Sequence, residues 1–351
     1  MIIKHKGNDL SPLIEKSTWS GSRLQVARKL VFEYVFDPRD PNVPQYVMNL
    51  GETVQGFSET DTTKPAFQGN IYKIERATQA GRVTVTAYDN LFILTKSKST
   101  RKFTNMTAED IAAAVCAEMG VKVGVLAKTG VKMTFVAANK TGYQMIMMAY
   151  TQASKKTNKK YHPLMNVDKL DVVEKGTLIN GFEANQYINE ENSTYSESIE
   201  NMINTVKVTD EQGNLKSYER NADWVSKYSM IMTTYKSNPN KNTQEEVKAL
   251  MKGPERTGTI DLLGDYRVVS SYSIAIVDMI AQLTGQFFVK SDTHTFENGQ
   301  HRMRVEIEFE NLMNEEKGGD DDGTRKRRAK NTGGRTQRRK NRARNASSSQ
   351  G

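Results

Sequence analysis

A chain of 351 residues with 37% apolar content is long enough for two or three domains with cores of their own, and its single cysteine, Cys116, excludes an internal disulfide or a cysteine-based metal cluster. The net charge of +9 is concentrated at one end: residues 318–351 hold eleven Lys and Arg against three Asp, a net of +8, which leaves the first 317 at +1. A basic folded body of the nucleic-acid-coating kind is thereby excluded. The opening MIIKHKGNDL and the lack of an apolar run of about 18 residues lead us to expect neither secretion nor membrane insertion, with synthesis in a cytoplasm.

The first hundred residues read as β structure. In 26–36, Leu30, Phe32, Tyr34 and Phe36 share one parity while Lys29 and Glu33 take the other, which predicts a strand with one buried face. Three prolines within 37–44 end it, because each removes a ladder donor. Two further alternating runs, 67–77 and 82–88, flank Thr78-Gln79-Ala80-Gly81 and predict a hairpin. Short strands punctuated by turns point to a small barrel or sandwich.

From Thr107 the period becomes helical. Thr107-Ala108-Glu109-Asp110 has the layout of a capping box, and Ile111, Ala114, Val115 and Met119 recur at helical spacing up to Gly120, where a left-handed cap is expected. Cys116 lies beside that stripe, with no basic group or His near it in sequence, and reads as a core thiol. A second box, Thr141-Gly142-Tyr143-Gln144, opens 145–150, which is apolar nearly all round. Met145, Met148 and Tyr150 are therefore candidates for a partner contact, with deep burial as the alternative. The run 155–160, with four lysines, reads as a basic loop.

β character returns at about 165. The runs 205–208 and 215–218 flank a Gly213-Asn214 turn, and helices are expected at 221–228 and from a third box, Thr243-Gln244-Glu245-Glu246, to Gly253. The segment 257–276 is β again. Near the end, Arg302, Arg304, Glu306, Glu308 and Glu310 alternate with Met303, Val305, Ile307 and Phe309, the mark of a strand with one dry face. The preceding run 287–290 and the Asn298-Gly299 pair make this a hairpin. Arg302, Arg304, Glu306 and Glu308 are the second set of candidate contacts, by cross-strand charge pairing, unless the face simply stays wet.

The order β, α, β, α, β gives an α+β, β-dominated chain of two small β-barrel domains with helical insertions. We expect an N-terminal barrel at 1–100, a helical or mixed insertion at 101–164, a second barrel at 165–317 with a helical insertion at about 221–253, and a disordered basic tail at 318–351. Arg325, Lys326, Arg327, Arg328, Arg338, Arg339 and Lys340 in that tail are candidates for binding nucleic acid or another acidic surface. A solubilising tail without a fixed partner is the alternative.

The four histidines, His5, His162, His294 and His301, show no metal-ligand spacing. His294 and His301 flank the last turn, which would bring them together either as a metal- or pH-sensitive pair or as ordinary strand residues. There is no nucleophile elbow, P-loop or dinucleotide fingerprint. No catalytic residue, metal or cofactor is expected.

Gly264-Asp265-Tyr266-Arg267-Val268, then GQFFVKSDTHTF at 285–296, then Asn298-Gly299-Gln300-His301 and the closing strand resemble the carboxy-terminal part of the XkdQ/YqbQ-type hub proteins of phage and phage-like tails, within the wider group of contractile-tail baseplate hubs. The likeness runs more loosely from the amino-terminal β region to 312, including Asp223-Trp224-Val225-Ser226-Lys227-Tyr228, and excludes the segment after 318. It implies a non-enzymatic adaptor. In such a homotrimer each chain gives two tail-tube-like barrels, so that six surround a central channel and join the hexameric tail tube to the trimeric spike. The implied partners include the tape-measure and other baseplate proteins, and the implied location is the baseplate of a virion or bacteriocin-like particle built in a bacterial host. Two rival readings stay open: a nucleic-acid-binding protein acting through the basic tail, and a peptidoglycan hydrolase carried on a tail.

Overall fold

The computed structural model describes residues 1–77, 81–239 and 241–316. These form two compact units, the first taking in Met1–Lys175, Phe296–Gly299 and the residues from Leu312, the second Gly176–Thr295 and Gln300–Asn311.

Unit 1 opens with strands β1 (Ile2–His5), β2 (Asn8–Asp9), β3 (Ile14–Ser22), β4 (Lys29–Val35), β5 (Thr53–Phe57), β6 (Phe67–Ala77) and β7 (Arg82–Tyr88). They form an antiparallel sheet in the order β3-β4-β7-β6-β5-β1-β2. The alternation read in the sequence sets its register. Leu30, Phe32 and Tyr34 of β4 lie opposite Ala87, Val85 and Val83 of β7, and all six are buried on one face. The prolines of 37–44 fall in the connection after β4, and most of the turn expected at 78–81 lies outside the described residues. Asp89, buried behind β7, accepts from the amides of Arg28 (3.0 Å) and Leu91 (3.1 Å) and so ties the sheet to a short helix α1 (Leu91–Lys96).

The rest of unit 1 comprises β8 (Lys98–Met106), α2 (Ala108–Glu118), β9 (Lys122–Leu126), β10 (Met133–Thr141), α3 (Gly142–Thr157), β11 (Tyr161–Asn166) and β12 (Lys169–Glu174). Both capping boxes form as expected. Thr107 accepts from the Asp110 amide and Thr141 from the Gln144 amide, and the side chain at each third helical position accepts in return from the cap residue's amide. Gly120 adopts φ +71° just past α2, where a side chain would be strained. The 155–160 run differs from the expected loop: Lys155 and Lys156 complete the last turn of α3, and Asn158 (φ 57°) closes it in the left-handed conformation. Cations at a helix C-terminus face the negative end of its dipole, which favours continuing the helix that far.

Unit 2 contains β13 (Leu178–Asn185), β14 (Glu190–Ser198), β15 (Thr205–Thr209), β16 (Leu215–Arg220), α4 (Ala222–Tyr228), β17 (Met232–Lys236), α5 (Thr243–Leu250), β18 (Glu255–Leu263), β19 (Ser273–Asp278), β20 (Leu283–Glu297, all but its last two residues) and β21 (Gln300–Glu308). Its main sheet runs β14-β18-β21-β20-β19-β13; β13 and β19 pair in parallel, while β14–β18, β18–β21 and β19–β20 are antiparallel. Between β14 and β18 the chain leaves this sheet to form a small β16-β15-β17 sheet, with Val206, Val208 and Val247 as its buried centre. The third box is displaced by one residue. Asn242, not Thr243, is the N-cap, its Oδ1 accepting from Gln244, and the helix ends before Met251 instead of reaching Gly253. Asn is as good a cap as Thr, and here it stands one position earlier.

The closing hairpin forms as read, with Asn298 (φ 52°) and Gly299 (φ 72°) both left-handed, as a two-residue primed turn requires. Ile260 lies opposite Val305 and Leu262 opposite Met303, all buried with Ile274, Ile276 and Val289. The chain is thus α+β and β-dominated, each unit resting on one large, mainly antiparallel sheet with helical segments added.

Candidate functional site

The outer face of β21 carries the expected charges, and the sheet pairs them laterally. Arg304 grips Asp261 of β18 through two bonds of 2.8 and 3.0 Å, Arg302 donates to Glu191 of β14 at 2.8 Å, and Glu306 meets Lys290 of β20 at 3.1 Å. These are exposed pairs, so they fix register more than they stabilise. The alternation stops at its end: Ile307 and Glu308 are both buried, so Glu308 is not on the open face.

The apolar stretch of α3 is a correction. Met145, Met148 and Tyr150 have no exposed surface at all; they fill the core of unit 1, where α3 packs on α1, α2, β10 and β11. The Tyr150 hydroxyl donates to the Ala127 carbonyl at 3.0 Å, and burial holds its proton on well above the usual phenol range. A helix covered on every side has to be apolar on every side, and that accounts for the pattern without a partner. Cys116 is likewise fully buried, its thiol pushed up to about 12 by desolvation. The candidate polyanion ligands Arg325, Lys326, Arg327, Arg328, Arg338, Arg339 and Lys340 lie outside the described residues.

The two late histidines do meet. His294 Nδ1 and His301 Nε2 are 3.0 Å apart, His294 Nε2 lies 2.9 Å from the Val268 carbonyl and 3.4 Å from Asp292, and Tyr266 packs on the His301 ring at 4.6 Å. Asp292 in turn accepts from the Ser270 amide at 2.6 Å. Burial, with the neighbouring imidazole, pushes His301 down to about 3, so it is neutral near pH 7. Among the described residues no group of three or more His, Cys, Asp or Glu is placed to hold a metal. The pair therefore fastens the closing hairpin to the loop between β18 and β19.

Two features went unread in the sequence. In unit 2, the loops after β13 and β19 lie side by side and hold Tyr187, Ile188, Met279 and Ile280 in solvent, at 80, 76, 70 and 89% exposure. The Asn residues bracketing Tyr187-Ile188 were the available signal, since Asn at both ends of a bulky pair marks a turn that must present it outward. In unit 1, a cleft of about 580 Å³ opens beside Leu24, Tyr88 and Phe92, with Lys96 and Lys98 among its lining residues. Tyr88 and Phe92 stack at 4.5 Å there.

Comparison with known proteins adds the following. A family model described as YQBQ-like matches residues 17–308. Two proteins of Bacillus subtilis (strain 168) are similar in sequence. The uncharacterized protein YqbQ is 23% identical over 327 residues, which cover 87% of this chain and 94% of that one. The phage-like element PBSX protein XkdQ is 23% identical over 292 residues, 75% of this chain and 86% of that one. Among solved structures, the 43 kDa tail protein of prophage MuSo2 from Shewanella oneidensis shares the fold with a TM-score of 0.66 at 10% identity, over 88% of this chain and 97% of that one.

Proposed function

The chain belongs to the YQBQ-like family, and from that premise we propose that it is a structural component of a phage or phage-like tail, acting as the hub of the baseplate. Three copies would join the sixfold tail tube to a threefold spike around a central channel, with the tape-measure and other baseplate proteins as neighbours. The observation that carries this reading is the pairing of two sheet-based units in one chain, in a fold shared along nearly the whole length of a prophage tail protein. Two sheet units per copy give six per trimer, which is what a joint between threefold and sixfold objects needs. XkdQ, from a phage-like element, supports the same setting. The reading assigns the chain no reaction and places it in the assembled particle after synthesis in the host. It also gives the basic segment at 324–344 a natural target in a polyanion passing through the channel.

The test is genetic and structural. Removing the coding sequence from a producing cell should leave tails that stall without a baseplate, and a cryo-EM map of complete particles should show the chain as threefold density between tube and spike. Intact tails assembled without the chain, or the chain found elsewhere in the particle, would overturn the reading. Deleting 318–351 separates the rival: loss of salt-sensitive DNA binding with assembly intact would put the tail, and not the hub, on nucleic acid.

A further inference from the structure

We propose that the paired loops of unit 2 carrying Tyr187, Ile188, Met279 and Ile280 seat in the aromatic cleft of unit 1 on a second copy of this chain, a head-to-tail contact that closes the ring; this rests on the trimer reading above.

The loops are built to present apolar groups. Four bulky side chains standing together in solvent are a recognised mark of an interaction site. Their backbones are fixed by polar side chains: Asn185 Oδ1 accepts from the Tyr187 amide (3.0 Å), Gln186 Oε1 from Met279 (2.8 Å), and Asp278 Oδ1 from both Ile280 and Ala281 (2.9 Å each). Asn189 Oδ1 closes the other side on the Asn185 amide at 2.9 Å. Ordering these loops in advance removes much of the entropy cost of binding.

The cleft supplies a matching receptor. Its volume is of the size that takes a few side chains, and its Tyr88–Phe92 stack with the exposed Leu24 is the aromatic, half-dry lining typical of an anchor pocket. Charge complementarity favours one occupant. Residues 177–206 and 268–289, which carry the loops, contain no Lys or Arg, and Glu183 and Glu190 stand close to the tip, with Glu191 paired to Arg302. Lys96 and Lys98, both exposed, line one side of the cleft, and Glu316 is the one acid among its lining residues. Opposite charge around an apolar centre favours this encounter over a tip-to-tip one, where acids would face acids. Because knob and pocket are different surfaces, the contact passes from each copy to the next, and a rotation that closes makes a ring. Lysines beside stacked aromatics also suit single-stranded nucleic acid, but that occupant would leave the tip unexplained.

The experiment uses the full chain. Sedimentation velocity would compare wild type with Tyr187→Ser/Ile280→Ser and with Lys96→Glu/Lys98→Glu, all at exposed positions, with circular dichroism to check folding. In parallel, a Leu24→Cys chain and a differently tagged Ile280→Cys chain would be mixed under mild oxidation. We expect a wild-type trimer, association at least tenfold weaker in both double variants, and a disulfide joining the two tagged chains only in the mixture. A trimer that persists in the tip variant, with no cross-link, overturns this contact and leaves the hub reading intact. A wild type that stays monomeric at all concentrations overturns both. Binding of a single-stranded DNA oligonucleotide that Lys96→Glu/Lys98→Glu abolishes, with the trimer unchanged, assigns the cleft to nucleic acid and overturns the contact.

Discussion

Gly264→Ala tests whether the histidine pair fastens the closing hairpin. A Cβ at 264 would come closer to the His301 ring than the 3.0 Å that real Cβ atoms respect. The ring has little room to retreat, since Tyr266 packs on it at 4.6 Å and it is hydrogen-bonded to His294 at 3.0 Å. His294 is itself held by the Val268 carbonyl at 2.9 Å. Overpacking of this kind costs about 1–3 kcal/mol. Losing the imidazole hydrogen bond adds about 1 kcal/mol. A total of about 2–4 kcal/mol corresponds to a fall in Tm of roughly 10 °C for a unit of this size. Trp224, the one tryptophan of unit 2, reports on the transition in a Trp19→Phe background, and urea unfolding should show a lower midpoint at unchanged slope. The decisive measurement is a double-mutant cycle with His301→Ala, which removes the obstructing ring: the second alanine should recover at least about 1 kcal/mol of the first one's cost. Gly264→Ala within about 0.5 kcal/mol of wild type, or strict additivity in the cycle, would refute the reasoning.

Three further outcomes follow from the same structure. Arg302→Ala and Arg304→Ala should each cost less than about 1 kcal/mol in urea unfolding, because their ion pairs with Glu191 and Asp261 are exposed; a larger loss would make that face a structural element and not an available surface. His301, held neutral in the folded chain, contributes stability that is complete above its unfolded pKa near 6.5 and is lost as pH falls toward 3, with a slope of at most about 1.4 kcal/mol per pH unit. Urea midpoints at pH 7.5, 6 and 5 should therefore decline in wild type and decline less in His301→Gln, and equal slopes would remove the assignment. Cys116 should resist a thiol reagent at pH 8 in the native protein and react fully in urea; native labelling would show the core open around α2.

What could be read in advance was whatever is written in a local period. β21 declared itself because charges and apolar residues alternate strictly, and the capping boxes at Thr107 and Thr141 declared α2 and α3 because two hydrogen bonds fix each start. The edge elements were harder. β1 and β5 pair with each other across some fifty residues of chain, and β9 joins β12 in parallel, so nothing within either segment specifies its neighbour. At the start of α5 two good caps stand side by side, Asn242 and Thr243, and only the geometry of the preceding turn chooses between them.

The harder question for sequence reading is which apolar residues face a partner. Composition ranks α3 first, yet its Met145, Met148 and Tyr150 are wholly enclosed, because a helix surrounded by two helices and two strands buries every side it has. The charged face of β21, ranked second, already pairs its visible charges within its own sheet. The surface proposed above is one no hydrophobicity scale would rank: two short loops with exposed bulky side chains, over a backbone that Asn185, Gln186 and Asp278 hold in place by hydrogen bonds. Apolar side chains scattered singly in solvent are ordinary; four grouped on two neighbouring loops whose backbone is held by side-chain hydrogen bonds are not. Rigid polar turns beneath exposed Tyr, Ile and Met are therefore better evidence for a docking surface than a long apolar run.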